Sequence, residues 1–397
     1  MYNHRFYYFF IFFIPLEQFL NYVFGYYTEL KIYRLLLFTT VFLLSFTAFK
    51  LKRLNKPPFG LKSFIFILLY GLCAALMRIS NGNGLLSYLE NSLQHFIIGL
   101  CIFYVLSTIR DHKHLLAIGK YFVLATLISS LYGINSYILM PQFRLHGFFH
   151  NPNHLAFAIN ILSPYLVYRF INKSNIISLL LIVFFSITVF FTGSRTGLMV
   201  QALNILLLLF LTFKTYKQIA LPILLVFIAG TYIYISSRGS VLVENKGLTS
   251  RFESDNMQNA SGRWDIADAA IRLGIDTKFT GVGIGQYKFY HLKYVSSNAY
   301  STVTKYDLGT HNHFLDLLVN FGIIPFILYI LFLVGVIRKI FRISSHLRPF
   351  LLCSFFGVSL ISLSQEVFTL PVFWMYIGLF ISLLEILKLK HDYGSQI

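Results

Sequence analysis

The sequence predicts an all-α polytopic membrane protein with about twelve transmembrane helices and one large extracytoplasmic loop that contains short helices. Of its 397 residues, 56% are hydrophobic and 12% are charged, and the mean hydropathy is +0.68. A soluble domain carries roughly a quarter charged residues. Apolar runs of about 17–25 residues, long enough for a helix to cross a bilayer, recur along almost the whole chain.

The apolar runs predict twelve spans in chain order. They cover residues 6–24, 33–49, 63–77, 93–109, 121–140, 154–168, 175–192, 197–213, 218–235, 314–337, 349–365 and 369–387. Three regions follow from this division. Residues 1–235 hold spans one to nine, residues 236–313 form the large loop, and residues 314–397 hold spans ten to twelve and a C-terminal tail.

The basic residues predict the orientation. Nineteen of the 33 Lys and Arg residues fall in the segments that are cytoplasmic if the amino terminus is inside, and five fall in the short outer loops. Lys and Arg accumulate in short cytoplasmic loops, so both termini are expected in the cytoplasm and the large loop outside it. The net charge of +18 therefore reflects loops between spans, and we expect no nucleic-acid partner.

The large loop contains a second predicted element, an amphipathic helix in "SGRWDIADAAIRLG". Ser261 is a suitable N-cap and Gly274 a suitable C-terminal stop. Trp264, Ala267 and Ile271 would share its apolar face at helical spacing. The "GVGIG" that follows lacks the spacing and the parallel-sheet unit of a dinucleotide fingerprint, so it predicts a turn.

Ionisable groups at a membrane edge are functional candidates by default. Four groups fall on the predicted outer side, although they lie far apart in sequence. They are Arg144, His150 and Asn153 in "QFRLHGFFHNPNHLAF", Arg195 in "FTGSRTGLM", Arg263 at the loop helix, and His311, Asn312, His313 and Asp316 in "GTHNHFLD". The topology predicts one shared site.

Each group also has a structural interpretation. Arg195 would snorkel to lipid headgroups, or it would grip a phosphate from a tight turn between two helices. Arg263 would pair with a loop carboxylate, or it would bind the same anion. "HNPN" would cap a helix with Pro152 at its first position.

His311 is the most informative position. Thr310 and Asn312 can cap span ten, which is the structural explanation of "THN". Imidazole, however, titrates near neutral pH and is the commonest general base, so His311 is expected to accept a hydroxyl proton or to hydrogen-bond a substrate. Asp316 lies one helical turn past Asn312 and His313 and would orient either of them.

The chain contains no Asp-x-Asp pair for a metal–nucleotide-sugar complex. We therefore expect metal-independent chemistry without a cofactor, built from Arg and His. Outward-facing arginines suit a lipid-linked diphosphate, whose charge they stabilise as it leaves.

These features resemble the bacterial O-antigen ligase and O-antigen polymerase superfamily of membrane glycan transferases. The ligase signature is His, then Asn, Ser or Gln, nine residues, Gly, two residues, and Gly, Thr or Tyr. The segment "HNHFLDLLVNFGIIP" gives His311, Asn312 and Gly322, and it departs from the signature at Pro325. Arg195 in "TGSRTG" resembles the outer-turn arginine of the family, and Arg263 in "SGRWD" resembles its large-loop arginine.

The resemblance implies a glycan donor attached to undecaprenyl diphosphate, presented at the outer face of the bacterial cytoplasmic (inner) membrane. A sugar hydroxyl of an acceptor, either a lipid-linked repeat unit or the lipid A core, attacks the donor. Arg195 and Arg263 would bind the diphosphate, and His311 would position or deprotonate the hydroxyl with support from Asn312. Arg144, His150 and Asn153 are further substrate-binding candidates. Membrane lipids and a chain-length regulator protein are the other expected partners.

Three activities fit this site. A polymerase for O-antigen or another surface polysaccharide is favoured because Pro325 departs from the ligase signature. A ligase that acts in lipopolysaccharide biosynthesis is the alternative. A lipid-linked oligosaccharide flippase is the candidate of a different class, but it should carry its charges near mid-membrane and show two related halves.

Overall fold

The structure is a computed structural model, and it describes residues 57–78, 84–139, 144–149, 151–212, 263–295, 309–343 and 347–393, together with Ile14–Leu16 and a few single positions between 12 and 46. Predicted spans one, two and nine lie almost entirely outside the described residues. Within the described residues the protein is all-helical and contains no strand.

Helices occupy all the predicted spans that fall on described residues. Twelve helices are labelled in chain order: α1 Leu61–Leu76, α2 Gly84–Ser107, α3 His112–Leu139, α4 Pro152–Lys173, α5 Ile176–Thr192, α6 Arg195–Thr212, α7 Arg263–Asp276, α8 Tyr287–Tyr290, α9 His313–Asp316, α10 Ile323–Phe341, α11 Arg348–Ser362 and α12 Pro371–Tyr393. Four of them, α3, α4, α10 and α12, are long and apolar enough to cross a membrane, and α1, α5, α11 and part of α2 are shorter apolar helices. The chain is thus a helical membrane protein, and the number of spans stays a prediction.

Burial separates central helices from peripheral ones. Two-thirds of the apolar stretch of α4 and of α12 is buried (67% each), against 33% in α3 and 28% in α10. Large apolar side chains, including Leu131, Ile138 and Leu331, are exposed on α3 and α10. A membrane protein can leave such residues facing lipid tails without cost. Helix α4 packs against α5, α6 and α11, while α12 packs against α2.

Local caps explain where the helices at one end of the bundle begin. The Asn151 side chain accepts from the backbone N–H of Asn153 (2.9 Å), and Pro152 is the first residue of α4. This confirms the predicted capping turn in "HNPN". Helix α5 ends at Gly193, which adopts the left-handed conformation (φ 60°), and Ser194 then accepts from the Gly197 N–H in the first turn of α6.

The prediction of one continuous helix over 314–337 is wrong. Helix α9 passes into a π turn at Leu317–Phe321, Gly322 breaks the helix at φ 93°, and the long helix α10 starts at Ile323. The reason is a backbone insertion from the large loop, since Val282 N–H donates to Val319 O (2.9 Å) and Gly283 N–H donates to Asn320 O (2.8 Å) in the π turn. A π turn leaves these carbonyls free for such partners.

The glycines of "GVGIG" permit this insertion. Gly281 and Gly283 have φ values of 87° and 106°, and a Cβ atom on Gly283 would lie 2.3 Å from Ala75 Cα. The segment is therefore a closely packed turn, held against α1 and the π turn, as the sequence predicts in outline.

Helix α7 exists as predicted, but a different face is buried. Its buried residues are Ile266, Ala269, Ala270 and Leu273. Three of them, Ile266, Ala270 and Leu273, pack with Val282, Tyr287 and Val319. Ile271 is 45% exposed, which contradicts the predicted face. The helix also continues past Gly274 to Asp276. The small alanines let the helix approach the π turn closely, and this tertiary contact overrides the spacing of the largest apolar residues. Ser261 lies outside the described residues, as do the side chains of Arg263 and Trp264.

Candidate functional site

Arg144 joins the beginning of one central helix to the end of another. Its Nε donates to Thr192 O (2.7 Å), and one of its terminal nitrogens donates to Asn153 Oδ1 (3.2 Å). Leu145 N–H adds a bond to Phe191 O (3.3 Å). The guanidinium thus fixes the start of α4 beside the end of α5, three residues before Arg195.

Arg195 is the first residue of α6 and stands in the tight turn that the sequence predicts. A hydrogen bond from α4 fixes this turn, since Asn160 Nδ2 donates to Gly197 O (3.0 Å). Gly197 is close enough to α4 that a Cβ atom would lie 2.8 Å from Ala156 Cβ. Arg195 is half-buried, and its guanidinium makes no hydrogen bond or ion pair with any residue that the structure describes. A half-buried cation of this kind at the start of a helix favours an anionic ligand.

Residues 309–316 form the second part of the site. The Asn312 side chain caps α9 by accepting from the N–H groups of Phe314 (3.0 Å) and Leu315 (3.2 Å). His311 precedes this cap in the left-handed conformation (φ 48°) and is half-buried. A residue other than glycine held in this conformation costs about 1–3 kcal/mol, and such strain is concentrated at functional sites.

His313 has a different environment from His311. Its ring is fully buried among aromatic rings, with centroid distances of 4.3 Å to Phe368 and 5.0 Å to Tyr329. Neither ring nitrogen has a hydrogen-bond partner among the described residues. Burial lowers the pKa of His313 to about 3, so the ring is neutral at physiological pH. Of the two histidines, His311 is therefore the one suited to proton transfer.

Asp316 does not orient Asn312 or His313 as the sequence suggested. Its carboxylate accepts from Asn320 Nδ2 (2.6 Å) in the π turn, and Asn320 Oδ1 in turn accepts from Tyr287 N–H (2.8 Å).

The connection between α11 and α12 brings the two parts together. Gln365 Nε2 donates to Asn153 O (3.3 Å) beside Arg144, and Glu366 Oε1 accepts from Thr310 Oγ1 (3.4 Å) beside His311. We call the loops 144–149, 192–195, 309–312 and 363–370 the loop cluster. Sequence reasoning missed Gln365 and Glu366. The available signal was a carboxylate in the short connection 366–368 on the predicted outer side.

The remaining predicted site residues are placed less completely. Arg263 is the first residue of α7, which packs beside α9 and the π turn, and the structure describes only its backbone. His150 lies outside the described residues. The loop cluster thus contains Arg144, Arg195, His311 and Asn312, and Asn153 contacts it from the first turn of α4. That these residues form one shared site stays a prediction.

Residues 180–330 match the family model described as O-Antigen ligase. The match confirms the resemblance to the O-antigen ligase and polymerase superfamily. The matched segment runs from α5 into α10, and it contains Arg195, Arg263 and His311. The match covers less than half of the chain, and it supports a membrane glycan transferase of ligase or polymerase type. No curated protein and no solved structure matches it.

Proposed function

We propose that this protein transfers an undecaprenyl-diphosphate-linked glycan to a sugar hydroxyl at the outer face of the bacterial cytoplasmic membrane. One observation carries the proposal. The half-buried Arg195 guanidinium has no partner among the described residues, and it stands in the same loop cluster as Arg144 and His311. Arginines bind phosphate oxygens bidentately, and a diphosphate leaving group needs such neutralisation.

We call the loops 144–149 and 192–195, which carry Arg144 and Arg195, the cationic part of the loop cluster. This part would hold the donor. Arg195 and Arg263 would bind the diphosphate, and the amino-terminal ends of α4 and α6 add partial positive charge on the same side. Arg144 and Asn153 would hold the sugar adjacent to the diphosphate, and we extend the same role to His150. The isoprenoid tail would lie among the lipid-facing helices.

We call the loop 309–312, which carries His311, the histidine part of the loop cluster. This part would activate the acceptor. The acceptor oxygen forms a bond to the anomeric carbon of the donor, and the bond from that carbon to the diphosphate oxygen breaks with its electron pair going to the diphosphate. His311 would take the hydroxyl proton, while Asn312 fixes the backbone next to it. General-base help of this kind is worth roughly 10²- to 10⁴-fold in rate. Neither a metal nor a nucleotide takes part in these steps.

Polymerase is the favoured activity within this class because the ligase signature ends at Pro325 in place of Gly, Thr or Tyr. Pro325 lies in the first turn of α10, where a missing N–H removes no helical hydrogen bond. The departure is therefore easily accommodated, and the acceptor has to be identified directly.

The test is a surface-glycan gel of a deletion strain complemented with wild type, Arg195→Ala or His311→Ala. Arg272→Ala and His114→Ala are matched controls, since Arg272 is an exposed partner of Asp268 on α7 and His114 lies in the first turn of α3. We expect both site variants to lose polymer and both controls to restore it at equal expression.

The deletion itself identifies the acceptor. A single repeat unit left on the lipid A core supports polymerase, and a bare core with accumulating lipid-linked polymer supports ligase. Normal polymer in both site variants would refute the catalytic site and favour a flippase, for which lipid-linked repeat units would accumulate unextended in the deletion strain.

A further inference from the structure

The loop 363–370 contacts both sides of the site, since Gln365 bonds Asn153, a partner of Arg144, and Glu366 bonds Thr310, the residue before His311. From this geometry we infer that Glu366 is a positioning residue, which holds the turn 309–312, and with it His311, at a fixed place relative to the arginines. This inference rests on the proposed function and adds a residue to it that neither the family signature nor the sequence pattern contains.

The loop itself is firmly anchored, so it can serve as a reference point. Val367 and Phe368 are buried (0% and 4% exposed). Phe368 O accepts from Trp374 Nε1 on α12 (2.8 Å), and Gln365 Nε2 donates to Asn153 O at the start of α4 (3.3 Å). Because both ends of the loop are fixed to central helices, a side chain that projects from it has a defined position.

Three contacts transmit this position to the histidine turn. The single proton of the Thr310 hydroxyl is shared between Asn312 O (3.0 Å) across the turn and Glu366 Oε1 (3.4 Å). The carboxylate also lies directly against Gly309, where a Cβ atom would be 1.9 Å from Oε1. The His313 ring packs on Phe368 of the same loop. His311 lies between these contacts.

The contact at Gly309 provides a selective perturbation. Gly309 does not have a positive φ value, so alanine there causes no backbone strain, and the atom that a methyl group would meet is the end of a flexible side chain. Gly309→Ala should therefore push the Glu366 carboxylate away from the turn and leave the fold intact. In a Glu366→Ala background the same methyl group has room and should do nothing further.

The experiment measures kcat and KM for the purified full chain in proteoliposomes, with the lipid-linked glycan that accumulates in the deletion strain as the donor. We expect Gly309→Ala and Glu366→Ala each to lower kcat by about 10- to 100-fold, since a displacement of about 1 Å at a reacting group has effects of this size. KM for the donor should stay within about twofold because the arginines are untouched. Glu366→Gln, which keeps an acceptor for Thr310, should recover most of kcat.

The double variant decides the mechanism of the effect. We expect Gly309→Ala with Glu366→Ala to have the kcat of Glu366→Ala alone, because both changes remove one contact. If the two substitutions lower kcat by factors that multiply in the double variant, the inference is overturned. It is also overturned if Glu366→Gln is as slow as Glu366→Ala. Gly119→Ala and Glu90→Ala are controls, at a helical glycine with room for a methyl group and at an exposed carboxylate.

Failure of the proposed function would look different. If the wild-type chain transfers no glycan, or if Arg195→Ala transfers it normally, the transferase assignment of the site fails before Glu366 is considered. If wild type is active, Arg195→Ala is inactive and both Glu366→Ala and Gly309→Ala are fully active, only the inference about Glu366 is overturned.

Discussion

The buried side chain of Asn160 on α4 bonds the first turn of α6, which carries Arg195. Its replacement gives a quantitative test of how α4 holds α6. The side chain is 3% exposed, and its Nδ2 donates to Gly197 O (3.0 Å) in the first turn of α6. Its Oδ1 accepts from Asn204 Nδ2 on the same helix (3.3 Å), and Asn204 Oδ1 is the acceptor for Cys353 on α11. Asn160→Leu removes these two bonds between α4 and α6 while keeping a side chain of similar volume, and it leaves the bond from Ser163 Oγ to Gln201 Oε1 (2.9 Å) in place.

The expected destabilisation follows from these two bonds. A hydrogen bond between membrane helices contributes about 0.6 kcal/mol on average and up to about 1.7 kcal/mol. Two such bonds give about 1–3 kcal/mol, and the Asn204 amide loses a partner in an apolar environment. Since Gly197 is two residues beyond Arg195, we also expect glycan transfer to fall together with the loss of stability.

The assay is unfolding of the purified protein by SDS in mixed micelles, compared with wild type and with Asn172→Leu. Asn172 is on the same helix but exposed, and its amide bonds only Tyr168 O within α4 among the described residues. We expect Asn172→Leu to unfold like wild type and Asn160→Leu at a lower SDS fraction. Equal unfolding curves for all three proteins would refute the view that this amide fixes α6 against α4.

Two further substitutions test the structure around the site. We expect Gly283→Ala to destabilise the protein by about 2–4 kcal/mol, because φ is 106° and a Cβ atom would meet the backbone of Ala75. An unchanged SDS-unfolding curve would contradict the close approach of this turn to α1. We expect Arg144→Lys to lower glycan transfer about tenfold, since lysine cannot bond Thr192 O and Asn153 Oδ1 in the planar arrangement of a guanidinium. Transfer at the wild-type rate would exclude a bridging role for Arg144.

Local features of the site were predictable because each depends on a few neighbouring residues. The Asn151 cap with Pro152, the Asn312 cap and the tight turn at Arg195 all follow from side chains that bond the nearest backbone N–H groups or from a glycine turn. Such interactions act over two or three residues, so a short stretch of sequence contains everything that determines them.

Long-range contacts account for the wrong predictions. The break in span ten depends on backbone N–H groups of Val282 and Gly283, about 37 residues earlier, that bond the π turn. The buried face of α7 depends on what it packs against, so Ala269 and Ala270 are buried while Ile271 is exposed. Helical periodicity describes one element alone and carries no information about its partner.

The sequence by itself determined the class of the protein, because the transfer of apolar side chains out of water dictates long helices wherever the apolar runs occur. It also predicted that cations and histidines fall in loops with the same orientation, and the match of residues 180–330 to an O-antigen ligase family model supports the family resemblance. Only the tertiary structure decided how these loops meet. Gln365 and Glu366 contact Asn153 and Thr310, which are 212 and 56 residues away, through bonds that exist only once α4, α9 and α12 have packed together.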